Sequence, residues 1–281
     1  MKIIDCPRDA MQGFKTQIPT QTKIDFINAI LRVGFDTVDF GSFVSPKAIP
    51  QMADTKEVLK GLHMDSTKSK LLAIVANERG VEGAAQFDEI SYLGFPFSVS
   101  EEFQKRNANK TIEESLATVD HLMKKCVQSG KTPVIYLSMG FGNPYGEHWH
   151  PDLVAQWTEK LVQMGAGIIA PSDTIGAATP ESISAIFSTL ILAFPQVEFG
   201  AHLHSTYESW APKIDAAYNA GCRRFDGAIK GYGGCPMAKD ELVGNMPTEK
   251  LLSFAASVHE AEPYNMLAFE YAYNVAMHVF S

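Results

Sequence analysis

Two histidines separated by one residue, His202 and His204, are the side chains of this sequence best suited to bind a metal ion. In an extended strand, residues i and i+2 point to the same side, so both imidazoles can reach one ion at adjacent positions. Neutral imidazole is a ligand for Zn, Mn, Fe or Co. The spacing therefore predicts a metal site, provided that these two residues end a strand.

The same spacing occurs once more, at His148 and His150, where the surroundings favour a different interpretation. Glycine and proline residues come before this pair and a proline follows it. Such residues are typical of loops, and nothing in the local sequence holds the two rings on one side. We interpret this second pair as packing within a surface loop.

Three further side chains could complete a catalytic site beside His202 and His204. Asp9 offers a carboxylate oxygen and Asn245 an amide oxygen, which gives two nitrogen and two oxygen ligands. Such a set leaves positions for substrate oxygens or water and does not choose among Mg, Mn and Zn. Arg8 is either a surface salt-bridge partner or an always-charged group that stabilises a carbonyl or enolate oxygen.

A fold that brings such distant residues together is predicted by eight short apolar runs. Each is bounded by glycine, proline or charge, as buried parallel strands are. The runs are Lys2–Cys6, Asp36–Phe40, Leu71–Val75, Glu89–Leu93, Val134–Ser138, Gly167–Pro171, Glu198–His202 and Arg224–Ile229. Helical patterns alternate with them, including a capping box at Thr111 and Glu114 and a helix start at Thr179-Pro180.

Eight alternations of strand and helix predict an α/β fold, the TIM (β/α)8 barrel. A doubly wound open sheet is the rival, but no GxGxxG turn follows the first run. We predict one catalytic domain over residues 1–281. Its last segment, residues 263–281, is expected to be a helical extension that covers either the barrel or a face of a homodimer.

In a TIM barrel, residues at the carboxyl ends of the strands face the active site. The chemically capable residues there include Asp39 near the end of the second run, Asp173 after the sixth, and Cys235 in the glycine-rich segment after the eighth. A thiol has an unperturbed pKa of ~8.5, close enough to working pH to move a proton. Cys235 is therefore either a proton donor or only a turn residue.

Composition narrows the class of protein. The chain has 281 residues and a formal net charge of −8, which argues against a nucleic-acid-binding surface. Apolar runs are too short to span a bilayer, and the start lacks the apolar stretch of a signal peptide. We therefore expect a cytoplasmic protein with no membrane partner, whose four cysteines stay reduced.

Several motifs resemble those of the 3-hydroxy-3-methylglutaryl-CoA lyase family, within the metal-dependent lyase and Claisen-condensation group of TIM barrels. They follow one another in order from about residue 5 to residue 250. They are Pro7-Arg8-Asp9-Ala10-Met11-Gln12, Ser42-Phe43-Val44-Ser45-Pro46-Lys47, Asn107-Ala108-Asn109, Ser172-Asp173-Thr174-Ile175-Gly176, Gly231-Tyr232-Gly233-Gly234-Cys235-Pro236 and Gly244-Asn245.

The resemblance implies roles for individual residues. The metal ligands would be Asp9, His202, His204 and Asn245, holding a divalent Mg, Mn or Zn ion. Arg8 would stabilise the enolate of the thioester and Cys235 would protonate the departing carbon, with Asp39 and Asp173 close to the substrate. The implied reaction is retro-aldol cleavage of a CoA thioester to acetyl-CoA and acetoacetate, as in leucine catabolism. Asp173, His202 and Asp39 all remain candidates for the general base.

Some positions depart from the family pattern. Asp39 stands where the lyases usually carry Glu, Ser205 where they carry Asp, and Ala10-Met11 where they carry Gly-Leu. These departures bear on substrate identity more than on the metal. The Arg-Asp and His-x-His motifs also occur in Claisen-type synthases of the isopropylmalate or homocitrate kind, so such a synthase stays an alternative, as does a ketoacid aldolase. Asp39 and Ser205 leave open a metal-binding homologue without activity.

Overall fold

A closed barrel of eight parallel strands lies at the centre of the computed structural model, which describes residues 1–234 and 243–281. The described strands are β1 (Lys2–Asp5), β2 (Thr37–Ser42), β3 (Lys70–Ile74), β4 (Ile90–Ser98), β5 (Thr132–Ser138), β6 (Ile168–Pro171), β7 (Glu198–Ala201), β8 (His204–Ser205), β9 (Arg224–Gly227) and β10 (Gly244–Asn245). The barrel runs from β1 to β7 and closes through β9, which pairs with both β7 and β1. The predicted TIM barrel is confirmed, and each predicted run overlaps one barrel strand.

Helices surround the barrel on its outer side. They are α1 (Pro7–Gln12), α2 (Thr20–Leu31), α3 (Thr55–Lys60), α4 (Glu78–Ala84), α5 (Glu101–Ala108), α6 (Ile112–Ser129), α7 (Pro151–Gln163), α8 (Pro180–Ala193), α9 (Trp210–Asn219), α10 (Thr248–Ser257) and α11 (Met266–Val279). The chain length between successive strands is what a right-handed parallel crossover requires. Among these residues, no helix is both long and apolar enough to cross a membrane.

Two helices begin where the sequence predicts. Thr111 caps α6, and its hydroxyl accepts from the backbone N–H of Glu114 while the Glu114 carboxylate accepts in return from Thr111 N–H. Thr179 caps α8 in the same way with Ser182, and Pro180 occupies the first helical position. These contacts satisfy backbone donors that the helix itself leaves without partners.

The strands bury both faces. One cluster of side chains lies inside the barrel and consists of Leu72, Ile74, Tyr92, Val134, Tyr136, Ile168 and Ala170. Alternate strand residues such as Phe199 and Phe225 face outward into the larger core between strands and helices. A strand with both faces buried appears in the sequence as a continuous apolar run, which explains why the strands could be predicted from the sequence.

The terminal segment forms one helix, α11, which packs against α2. Phe280 contacts Phe26, with ring centroids 5.9 Å apart, and Phe269 contacts Phe35 at 6.4 Å. Phe280 also stacks on Tyr232 at 4.4 Å, in the glycine-rich segment after β9. The helix therefore packs on α2 and contacts Tyr232, in the segment that precedes Cys235.

Candidate active site

Three side chains from distant parts of the chain converge at the carboxyl end of the barrel. One ligand atom each of Asp9, His202 and His204 lies within 4.8 Å of the other two. His202 directly follows β7 and His204 opens β8, while Asp9 comes shortly after β1. The rings of the two histidines lie on the same side of the chain, with centroids 5.5 Å apart. A carboxylate and two imidazoles at this separation can share one divalent ion.

Arg8 and Asp9 lie beyond the end of β1, in the first turn of α1. Pro7 occupies the first helical position directly after Cys6. Proline fixes φ at a helical value and lacks the N–H that the next strand pair would use, so the strand ends at Asp5. Both side chains are nonetheless buried at the strand end.

Hydrogen bonds fix the orientation of both imidazoles. Nδ1 of His202 lies 3.1 Å from the Asp226 carboxylate, and Nδ1 of His204 lies 3.2 Å from the Thr174 carbonyl oxygen. A carbonyl and an ionised carboxylate only accept, so Nδ1 is the protonated nitrogen in each ring. Nε2 of His204 is buried and has no hydrogen-bond partner among the described residues. A buried nitrogen lone pair without a hydrogen-bond partner, next to a carboxylate, is available to bind a metal ion.

The charges around the three groups suit this assignment. Burial raises the pKa of Asp9, but Arg8 and the two histidines outweigh it and hold the pKa below its ordinary value. Burial, together with the neighbouring His202, lowers the pKa of His204. Burial also lowers the pKa of His202, but the hydrogen bond and charge of Asp226 prevail and raise it. Near pH 7 Asp9 therefore offers an ionised oxygen, and His204 a neutral nitrogen, that could bind a metal ion.

Arg8 is held between two carboxylates beside the convergence point. Its Nη2 and Nε donate to Asp39 Oδ2 at 2.5 and 3.0 Å, and its Nη1 donates to Asp9 Oδ1 at 2.8 Å. The Arg8 side chain is 8% exposed, so it is not a surface salt-bridge partner. Burial of Asp39 raises its pKa to about 6 although Arg8 opposes the shift. The guanidinium is thereby fixed in one orientation next to Asp9.

Asn245 lies on β10, which pairs antiparallel with β8 so that Asn245 is opposite His204. Its Nδ2 donates to the Tyr232 carbonyl at 2.8 Å, and the amide also hydrogen-bonds to Asp9. The structure therefore brings Asn245 to the same site.

Cys235 lies outside the described residues. The two preceding glycines have φ of +89° and +138°, and a Cβ at Gly233 would lie 2.6 Å from the Asp9 carbonyl oxygen. The chain that leads to Cys235 thus passes directly over Asp9.

Asp173 is at the predicted end of β6 but is fully engaged by the protein. Oδ2 accepts from Lys213 Nζ at 2.7 Å, and Oδ1 accepts from the Ala178 backbone N–H at 3.0 Å. Its side chain has no exposed surface. The geometry gives Asp173 an ion-pair partner rather than an open side towards a substrate.

Asp226, Lys213 and the Thr174 carbonyl were not predicted from the sequence, although each contacts a predicted site residue. A signal was present for Asp226: it is a carboxylate inside a run predicted to be a buried strand, β9. Inward-facing positions of a barrel strand alternate, and Asp226 is 2% exposed. Buried ionisable groups need a partner, so such a residue at a strand end points to a site.

Comparison with known proteins gives consistent matches. The HMGL-like family profile matches residues 1–273. The chain is 34% identical to the cytoplasmic 3-hydroxy-3-methylglutaryl-CoA lyase of Homo sapiens over 255 residues, which are 90% of this chain and 68% of that protein. It is 32% identical to the hydroxymethylglutaryl-CoA lyase of Bacillus subtilis over 246 residues, 88% of this chain and 81% of that protein.

Solved structures resemble the whole chain. The HMG-CoA lyase of Brucella melitensis superposes with a TM-score of 0.91 and 29% identity over 99% of this chain and 98% of that one. The HMG-CoA lyase of A. baumannii, in complex with coenzyme A and 3-methylmalate, has a TM-score of 0.90 and 28% identity. That match covers 100% of this chain and 91% of the other.

Proposed function

The chain belongs to the HMGL-like family, and on that premise we propose that it is a divalent-metal-dependent carbon–carbon lyase. Its substrate is a 3-hydroxyacyl-CoA such as 3-hydroxy-3-methylglutaryl-CoA, which a retro-aldol step cleaves to acetyl-CoA and acetoacetate. The observation that carries this proposal is the convergence of Asp9, His202 and His204 within 4.8 Å, with a buried arginine beside them. The lyases named above, one of them bound to coenzyme A, support the thioester class.

The metal ion is held, in this proposal, by Asp9, His202 and His204, with the amide oxygen of Asn245 as a fourth ligand. Two nitrogen and two oxygen ligands suit Mg, Mn or Zn. When bound, a divalent ion lowers the pKa of the substrate hydroxyl and orients its oxygens. The protein's part is to keep both imidazoles in the Nδ1-protonated form through Asp226 and Thr174.

Arg8 stabilises the charge that develops on the thioester oxygen when the carbon–carbon bond breaks. Its orientation is set before substrate arrives because Asp39 and Asp9 hold the guanidinium on two sides. A preorganised cation in a water-excluded site stabilises an enolate far more than a mobile one does. Cys235, which lies outside the described residues, then protonates the methylene carbon; Gly233, two residues before it, lies against the main chain of Asp9.

We favour Asp39 as the general base because of its pKa, since contacts alone do not separate the candidates. Arg8 engages both oxygens of Asp39, both oxygens of Asp173 are engaged as well, and Nδ1 of His202 is bonded to Asp226. Asp39 has a pKa of about 6, near the working pH of a general base. It is one methylene shorter than the Glu usual in the family, which places a proton acceptor further from the substrate and bears on which acyl group is cleaved.

We place the enzyme in the cytoplasm, acting in leucine catabolism as one catalytic domain over residues 1–281, without nucleic-acid or membrane partners and with a homodimer as its expected assembly. Gel filtration with light scattering measures that assembly directly. A monomeric mass at working concentration would contradict the homodimer without affecting the assignment of the active site.

The assay that tests the function uses metal-loaded protein and a panel of 3-hydroxyacyl-CoA thioesters, with acetyl-CoA release as the readout. Release from 3-hydroxy-3-methylglutaryl-CoA is expected. His204→Ala should lose bound metal and turnover together, whereas His150→Ala, a surface histidine at the start of α7, should keep both. If metal-loaded protein cleaves none of the thioesters, the lyase assignment is wrong. Consumption of acetyl-CoA with a 2-ketoacid would instead identify a Claisen-type synthase.

A further inference from the structure

A buried lysine on α9, Lys213, connects two loops at the catalytic end of the barrel. Its Nζ donates to Asp173 Oδ2 at 2.7 Å, to the His204 carbonyl oxygen at 2.8 Å and to the Gly176 carbonyl oxygen at 3.3 Å. The side chain is only 5% exposed. All three hydrogens of the ammonium are used, so this lysine is a structural connector and has no donor left for a ligand.

Both carboxylate oxygens of Asp173 also have hydrogen-bond partners. Asp173 accepts from Lys213 on one oxygen and from the Ala178 backbone N–H on the other. A carboxylate that already accepts a charge-assisted hydrogen bond from a buried ammonium has its negative charge compensated. In this structure Asp173 is therefore the counter-ion of Lys213.

His204 is attached to the same loop at two points. Its ring is bonded through Nδ1 to the Thr174 carbonyl, and its own carbonyl is bonded to Lys213. Thr174 is itself fixed, because its hydroxyl accepts from the Met139 backbone N–H at 2.8 Å. The direction of Nε2 in His204 therefore depends on the segment that Lys213 ties to Asp173.

We propose that Lys213 is a positioning residue for the metal centre. It joins Asp173 to the main chain of His204 and so holds Nε2 of that ring towards the ion. Asp173 serves as the counter-ion of this lysine and not as the general base. The inference rests on the proposed function only in requiring a metal ion at Asp9, His202 and His204, and it can be tested without substrate.

Two variants distinguish a role of Lys213 in positioning His204 from its contribution to the stability of the protein. Lys213→Met leaves the Asp173 carboxylate buried without its counter-ion, which destabilises the fold as well as the site. The double variant Lys213→Met/Asp173→Asn removes both charges, so its melting temperature should recover towards that of the unmodified protein. The link to the His204 carbonyl remains broken in both.

A matched control is Lys131→Met. Lys131 is also buried, and its Nζ donates to the carbonyl oxygens of Phe87 and Ile90 at 2.6 and 2.8 Å. It lies directly before β5, at the end of the barrel opposite the metal centre. The Lys131→Met substitution therefore removes a buried ammonium of the same kind from a place that contacts no proposed metal ligand.

The decisive readout is the Mn²⁺ affinity of substrate-free protein, measured by competition with a chelator, beside the visible spectrum of the Co²⁺-loaded form. Loss of an outer-shell contact lowers metal affinity by about 10- to 100-fold. We expect that loss in Lys213→Met and in the double variant, with an altered Co²⁺ spectrum, and less than a twofold change in Lys131→Met. Unchanged affinity in the double variant, or an equal loss in Lys131→Met, would overturn the inference.

Turnover of Asp173→Asn at saturating metal tests the second half of the inference. The amide oxygen still accepts from Lys213, so a counter-ion role predicts less than about a tenfold loss. Removal of a general base costs about 100- to 10,000-fold, and a loss of that size would contradict the inference. If the unmodified protein cleaves no thioester while the variants lose metal as expected, the positioning role stands and the lyase assignment fails.

Discussion

Nδ1 of His202 lies 3.1 Å from Oδ2 of Asp226, and this contact decides which nitrogen of the ring can bind a metal ion. Asp226 is on β9, points into the barrel and is almost completely buried. Because its carboxylate accepts from Nδ1, the lone pair of Nε2 is left for the ion. The carboxylate–histidine–metal arrangement recurs in many metalloenzymes, where the outer partner fixes the tautomer of the ligand.

The first prediction concerns Asp226→Asn. An amide can donate as well as accept, so it no longer enforces the Nδ1-protonated form of His202. Metal affinity should fall about 10- to 100-fold, measured by competition with a chelator. The matched control is Asp152→Asn, which alters a surface pair with His150 Nδ1 at 3.2 Å and should leave the affinity unchanged. Equal affinities in all three proteins would remove Asp226 from the site.

Arg8→Lys tests the role of the guanidinium. Lysine keeps the positive charge but cannot bridge Asp39 and Asp9 with a planar fork, so its orientation is lost. Removing one preorganised donor from an oxyanion site costs about 100- to 1,000-fold in kcat. We expect that loss with metal still bound, as measured by steady-state kinetics beside metal analysis. A kcat within threefold of the unmodified enzyme would rule out the proposed stabilisation of the enolate.

Cys235→Ala should separate proton transfer from metal binding. The variant loses the thiol that is proposed to protonate the methylene carbon, so turnover should fall about 100- to 10,000-fold while bound metal stays the same. Cys126→Ala is the control because Cys126 is buried within α6, where burial raises its thiol pKa to about 11. Full activity in Cys235→Ala would leave this cysteine with only a turn-forming role.

Buried Asp5 should make the stability of the protein depend on pH. It is buried on β1, its Oδ1 accepts from the Thr248 hydroxyl at 2.6 Å, and burial raises its pKa to about 7. The unfolded value is ~3.9, so the folded state binds the proton more tightly. This contribution to stability is fully present below pH ~4 and is lost as pH rises through about 7.

The unmodified protein should therefore lose stability relative to Asp5→Asn between pH 4 and pH 8, by up to roughly 4 kcal/mol. The measurement is urea unfolding of both proteins at each pH with a chelator present, so that metal binding does not contribute. A difference in unfolding free energy that stays constant with pH would show that Asp5 does not titrate in this range.

The fold could be predicted because both faces of each barrel strand are buried, which leaves a continuous apolar run in the sequence. β4 shows the limit of that signal. The predicted run ended at Leu93 because glycine and proline follow, yet β4 continues to Ser98. Gly94 faces Ile74 so closely that a Cβ would lie 2.6 Å from its Cδ1. The glycine is there for packing inside the barrel and does not mark a turn.

The site was predictable only in part. The sequence predicted His202, His204 and Asp9 as one site because the carboxyl ends of all strands of a barrel face the same active site. Lys213 could not, because its role depends on the angle at which α9 packs behind β8. A lysine in an amphipathic helix is normally exposed, and only the packed structure shows its ammonium among three oxygens.

A crystal of the protein grown with Mn²⁺, and its anomalous difference map, would test the metal centre most directly. We expect one strong peak about 2.0–2.2 Å from a carboxylate oxygen of Asp9 and from Nε2 of both His202 and His204. A peak bonded to Nδ1 of either ring, or no peak between these three side chains at saturating Mn²⁺, would contradict the account.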